Sequence, residues 1–214
     1  MATSLLLTTS DGQTLEAERC VPPTGTPTRL AAVLCHPHPL FGGSMRAVVV
    51  SPLFRDLPAL GVDCLRFNFR GVEASSGSFD NAEGEQHDVA AAVSTLRAAV
   101  DAEVPLVVIG FSFGADLTLA TDHPAINGWC AIAPPLRFVS EADIEARRID
   151  ARPKSIILAA LDDVRDPAAV AKRFDGAVNS SVVTIGGASH FFVGRDRQLL
   201  DAVSTFVDGF ASTG

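Results

Sequence analysis

The stretch PLVVIGFSFGADLTLA, residues 105–120, decides the fold. Pro105 to Ile109 is a short apolar run bounded by proline and glycine, the pattern of a strand buried on both faces of a sheet. The segment ADLTLA, Ala115 to Ala120, can continue as a helix. Between them, Gly110-Phe111-Ser112-Phe113-Gly114 must turn strand into helix within a few residues. Such a turn strains its central residue, and the flanking glycines let the two backbones approach. The Ser112 hydroxyl then stands above the strand's carboxyl end, beside a helix N-terminus whose dipole favours developing negative charge.

Outward from this turn, apolar runs alternate with segments of helical period. On its N-terminal side, Leu30 to Cys35 reads as a strand, Met45 to Leu57 as a helix stopped by Gly61, and Val62 to Phe69 as an alternating strand. Glu83 to Val100 reads as an amphipathic helix with carboxylates in its first turn. On the C-terminal side, Ala125 to Ala133, Lys154 to Ala160 and Ser181 to Ile185 read as strands, and Pro167 to Phe174 and Asp196 to Phe210 as helices. Asp11-Gly12, between Leu5 to Thr9 and Thr14 to Cys20, marks a hairpin. The expected architecture is α/β: one domain over residues 1–214, with an initial antiparallel hairpin and a mostly parallel sheet covered by helices on both faces. Leu136 to Pro153 is the segment available as a cap, and it is too short for a large lid.

Composition narrows the function classes. With 214 residues, 47% hydrophobic and 20% charged, the chain can bury a sizeable core. A net charge of -8, with no basic cluster, argues against nucleic acid or an anionic membrane as partner. No apolar run reaches the roughly 18 residues of a membrane span. The N-terminal MATSLLLTTSDGQ lacks the basic region and long apolar stretch of a signal peptide, so a cytoplasmic location is expected. Cys20, Cys35, Cys64 and Cys130 are scattered and read as free thiols, mostly buried, in a reducing compartment.

A serine hydroxyl is a poor nucleophile without a base. His190 is placed to be that base: it ends Gly186-Gly187-Ala188-Ser189-His190, after the Ser181 to Ile185 strand and before the last helix. His87 and His123 lie on or near helices and read as solvated or structural. The third member should be a carboxylate after the preceding strand, holding the imidazole tautomer. Leu161 to Pro167 offers Asp162, Asp163 and Asp166; Asp163 is favoured, Asp162 comes second, and Asp166 reads as a cap for the helix starting at Pro167. For an oxyanion hole, the Phe113 amide supplies one donor and the His36 to Gly43 loop the other. Pro37 and Pro39 have no N–H, which leaves His38 first and Leu40 second. Cys35, His36 and His38 do not read as metal ligands, because neighbours on a strand point to opposite faces and no carboxylate or fourth ligand is near. Phe41, Phe191 and Phe192, together with Phe113, flank these loops and are expected to wall an apolar acyl or alcohol pocket. Arg70 reads as part of a structural ion pair.

Five segments, HPHPLFGGSM (36–45), RFNFRGVEASSG (66–77), GFSFGA (110–115), ALDDVRDP (160–167) and GASHFF (187–192), make the chain resemble the α/β-hydrolase superfamily. More narrowly, it resembles the small lidless bacterial serine hydrolases related to dienelactone hydrolases. The resemblance implies a mainly parallel sheet of about eight strands, a site at the strands' carboxyl ends, and a triad in the chain order Ser, Asp, His. The family's Gly-x-x-Asp-x-x-x-Pro pattern aligns on Asp163, with Ala160 in place of the glycine. Dienelactone hydrolases proper use cysteine as nucleophile and haloalkane dehalogenases aspartate, whereas this chain has Ser112. The implied activity is cleavage of small esters through an acyl-enzyme, with no cofactor or metal and a small-molecule ester as the expected partner; the short cap suggests an open site that accepts short acyl chains. Thioester hydrolysis, amide hydrolysis and acyl transfer would use the same residues. A non-catalytic binder of this fold would have no need of all three.

Overall fold

In a computed structural model, which describes residues 2–210, the strand-forming runs join one eight-stranded sheet. The hairpin of β1 (Thr3–Thr8) and β2 (Thr14–Cys20) closes on Gly12 at φ 87°, a conformation glycine adopts without a Cβ penalty. β2 pairs antiparallel with β4 (Val62–Phe67). From there β3 (Leu30–Cys35), β5 (Leu106–Phe111), β6 (Gly128–Ile132), β7 (Lys154–Leu161) and β8 (Ser180–Ser189) continue in parallel. The spatial order is β1-β2-β4-β3-β5-β6-β7-β8. The chain leaves β3 for β4 on one side and returns to β5 on the other, so a crevice opens between the carboxyl ends of β3 and β5, where open α/β sheets place their ligands.

Strand alternation divides the core between two faces. Leu30, Ala32 and Leu34 of β3 and Val107, Ile109 and Phe111 of β5 pack with α1 (Val50–Asp56) and α6 (Asp196–Asp208). Ala31, Val33, Leu106 and Val108 face α2 (Glu83–Ala99) and α3 (Phe113–Ala120). Beyond α3, α4 (Glu141–Ile149) and α5 (Pro167–Arg173) extend the second layer through Ile144 and Val170. Burying each large aliphatic side chain contributes about 1.5–3 kcal/mol, so the doubly covered central strands hold the scaffold.

Three elements differ from their sequence reading. The helix expected from Met45 begins only at Val50, because the Met45 amide is drawn to Asn68 Oδ1 (2.7 Å), a partner 23 residues away. Half of the segment expected as a cap is α4, whose Ile144 packs into the core flanking the sheet; its first residues reach over the strand ends. β8 runs on past Ile185 to Ser189 although Gly186 and Gly187 interrupt the strand pattern, since β7 also lengthens and Leu161 pairs with Ser189 after a register shift.

Arg70 is a structural cation. It is buried, bonds Asp88 Oδ1 through Nη2 (2.7 Å) and Asp11 Oδ2 through Nη1 (2.8 Å), and so ties α2 to the hairpin. Cys20, Cys35, Cys64 and Cys130 are free, the last three buried. Among the described residues no helix is long and apolar enough to cross a membrane.

Candidate active site

Ser112 follows β5 directly and caps α3 with φ 54° and ψ -118°. A residue other than glycine held in a sparsely populated region costs of order 1–3 kcal/mol and persists only where its surroundings over-determine it. Here Ser112 N donates to Ile132 O (2.9 Å) at the end of β6, and Ser112 O accepts from Ala115 N (2.8 Å). A Cβ on Gly110 would collide with Gly114 O and Thr118 Oγ1, and one on Gly114 with the carbonyls of Cys35 and His36. These two glycines therefore let α3 press against β5 and β3.

His190 meets Ser112 from the end of β8: its Nε2 lies 2.9 Å from Ser112 Oγ. Its Nδ1 lies 2.9 Å from Asp162 Oδ2 and 3.0 Å from Oδ1. Asp162 also accepts from Val164 N (2.9 Å) and Arg165 N (3.3 Å). Burial pushes the Asp162 carboxyl up, but the bond from His190 and the backbone amides outweigh it, and the net shift is downward. An ionised carboxylate can only accept, so the proton sits on Nδ1 and Nε2 offers its lone pair to the serine hydroxyl. Ser112 and His190 are buried, and the Asp162 side chain is 5% exposed, so little water competes for these bonds.

The carboxylate on His190 is thus that of Asp162, and the choice of Asp163 is corrected. The register decides it. Leu161 pairs with Ser189, so the next residues along each strand, Asp162 and His190, face each other. Asp163 is exposed. Asp166 caps α5, its Oδ1 accepting from Ala168 N (3.1 Å).

The Phe113 amide, first in α3, has no intrahelical acceptor to meet. The His38 carbonyl accepts from Phe41 N (3.1 Å) and Gly43 N (3.1 Å), while among the described residues its own amide makes none of the loop's backbone bonds. Leu40, the second choice, has its amide occupied by His38 Nδ1 (3.2 Å). The His38 ring sits among Phe41, Phe79, Phe113 and Phe138 at centroid distances of 4.8–5.1 Å, and burial lowers its pKa. His36 has both ring nitrogens engaged, Nδ1 with Pro37 O (2.6 Å) and Nε2 with Phe69 N (3.0 Å), and burial drops its pKa to about 3. Among the described residues no group of His, Cys, Asp or Glu is arranged to hold a metal.

A cavity of about 420 Å³ opens at Ser112 and His190. Phe41 and Phe191 line it. Phe192 does not, and its assignment to the pocket is corrected: it is fully buried in the core against α6, because the turn after Ser189 sends adjacent phenylalanines to opposite sides. Sequence reasoning missed Phe111, Phe138, Val164 and Arg137 as lining residues. Phe111 could have been found, since it precedes the serine in the strand-to-helix turn; Phe138 carries no local signal. Asp116, one helical turn beyond Ser112, was also missed. It is fully buried, and burial pushes it up to about 6 against three backbone amides that lower it.

No family model matches the chain. An uncharacterised protein of Rickettsia prowazekii is 31% identical over 190 residues, covering 85% of this chain and 80% of that one. A lidless α/β serine hydrolase of Xanthomonas campestris superposes with a TM-score of 0.83 at 30% identity, covering 98% of this chain and 94% of that one. An α/β serine hydrolase homologue from Coxiella burnetii gives 0.81 at 30% identity, with 97% and 96% covered.

Proposed function

The chain belongs to the α/β serine hydrolases, and from that premise we propose that it cleaves small esters through an acyl-enzyme on Ser112. The observation that carries this is the buried, unbroken relay from Ser112 Oγ through the His190 ring to Asp162, opening onto an apolar cavity. Ser112 Oγ attacks the ester carbonyl as its proton passes to His190 Nε2. The Phe113 and His38 amides receive the oxyanion. As the carbonyl re-forms, the C–O bond to the alcohol breaks and the alcohol leaves with the proton from Nε2. Water then repeats the attack, its proton again going to Nε2 and then to Ser112 Oγ, which releases the acid. Asp162 holds the ring and stabilises the imidazolium without taking the proton itself.

The cavity's size supports short acyl groups, and its walls of Phe41, Phe111, Phe113, Phe138 and Phe191 support uncharged ones. The free cysteines support a reducing, cytoplasmic setting. The test is intact-mass labelling with a fluorophosphonate, comparing wild type with Ser112→Ala. One adduct on the wild type and none on the variant supports the reading; no adduct on folded wild type overturns it. A series of nitrophenyl esters should then peak at short chains, and a peak at long chains would remove the acyl-length part of the reading.

A further inference from the structure

The loop between β6 and α4 is held in an unfavourable conformation, and one carboxylate binds its second half. Ala133 and Leu136 lie at φ 46° and 55°, on either side of Pro134 and Pro135, though neither is glycine. Left-handed backbone costs such residues about 1–2 kcal/mol each. Ala133 N donates to Ile157 O (2.7 Å), and at Leu136 the cost is opposed by Asp116, on α3 one turn beyond Ser112. Its Oδ1 accepts from Leu136 N (2.9 Å), and its Oδ2 from Arg137 N (2.8 Å) and Phe138 N (2.9 Å). Three successive backbone amides solvate its charge, and the Arg137 guanidinium favours that charge through space to a smaller extent. Charge-assisted bonds of this kind are roughly twice as strong as neutral ones.

The loop so held is a wall of the cavity. Pro135, Arg137 and Phe138 all line it. The Phe138 ring lies 5.0 Å from that of Phe113 and 5.1 Å from that of His38, with interplanar angles of 75° and 68°. Phe113 and His38 are the residues whose amides face the proposed oxyanion. Asp116 thus connects the helix that follows the nucleophile to the wall that contacts both.

We propose that Asp116 is a positioning residue that sets acyl selectivity, by clamping the Leu136–Phe138 backbone so that Phe138 closes the pocket wall. This rests on the serine-hydrolase reading and adds to it the group that determines which acyl chains fit. Asp116→Asn keeps the volume but places an NH2 against one or two of the amides, which removes those bonds and takes the charge from the rest.

The experiment compares wild type, Asp116→Asn, Phe138→Ala and the double variant in two readouts. One is the ratio of kcat/KM for a butyrate over an octanoate nitrophenyl ester. The other is hydrogen exchange at the amides of residues 136–138. The expected result is a ratio lowered at least about tenfold in each single variant and no further in the double, with amide protection lost in Asp116→Asn; a tenfold ratio corresponds to about 1.4 kcal/mol of differential transition-state binding. A ratio within twofold of wild type in Asp116→Asn, effects that multiply in the double variant, or amides still protected in Asp116→Asn would each overturn the proposal. Wild type that takes no fluorophosphonate overturns the hydrolase reading on its own, and amide protection then judges the clamp.

Discussion

Two adjacent aspartates provide the sharpest test at the residue scale. Asp162 accepts from His190 Nδ1, while Asp163 is exposed. Asp162→Asn can donate to Nδ1 and so stabilise the wrong tautomer, which in serine-histidine-aspartate enzymes lowers kcat about 10⁴-fold. Asp163→Asn should leave kcat within about twofold of wild type, as surface substitutions usually do. Steady-state kinetics on one ester checks both, and equal losses in the two would undo the assignment. Two phenylalanines make a second pair. Phe192→Ala empties a fully buried core site and should cost about 3–5 kcal/mol in urea unfolding. Phe41 is 86% exposed at the mouth of the cavity, so Phe41→Ala should change acyl preference with less than about 0.5 kcal/mol lost.

At the scale of elements, the site depends on how closely α3 approaches β3. Gly114 lies against the carbonyls of Cys35 and His36, where a methyl group has no room. Gly114→Ala should therefore push the helix away from β3 and lower both unfolding stability and kcat, by about 1–3 kcal/mol in the former as overpacking does. The helix α4 offers a contrast. Ser140 caps it, its Oγ accepting from Asp143 N (3.1 Å). Ser140→Ala should cost about 0.5–2 kcal/mol of stability. Thermal melts beside ester kinetics separate the two cases, since loss of the cap alone should not reproduce the kcat loss of Gly114→Ala. Pairing between neighbouring elements also explains why Asp163 looked right in the sequence. The family spacing counts along one chain from Ala160 to Pro167, whereas the partner of His190 is set across the β7–β8 ladder, whose register shifts between Ala159 and Leu161.

For the whole molecule, burial of titratable groups sets how stability depends on pH. His36 falls from an ordinary value of 6.5 to about 3 because burial penalises its charge. Between those values the unfolded chain binds a proton that the native chain does not, so this group's contribution falls as pH drops through the window. The slope is at most about 1.4 kcal/mol per pH unit. Asp116 works in the opposite sense: its native pKa is raised from 3.8 to about 6, so the native chain is favoured as pH falls through that range. Urea unfolding of wild type and His36→Asn, whose amide can still accept from Phe69 N–H, isolates the histidine. The stability gap between them should narrow as pH falls from 6.5 towards 4; a constant gap would show that the imidazole titrates normally.

What the sequence by itself determined was local. An apolar strand, a glycine-flanked serine and a helical segment lie within sixteen residues, and steric limits on that turn dictate where the hydroxyl goes. The placing of His190 after a strand and before the last helix was as readable, because strand ends in such a sheet share one rim. Tertiary structure decided the rest. It chose Asp162 over Asp163 through a register shift between two strands, and it turned Phe192 into the core. It also brought Asp116 to amides 20–22 residues away, on a loop with no pattern of its own. These outcomes depend on which backbone lies opposite which, and periodicity along one chain carries no record of that.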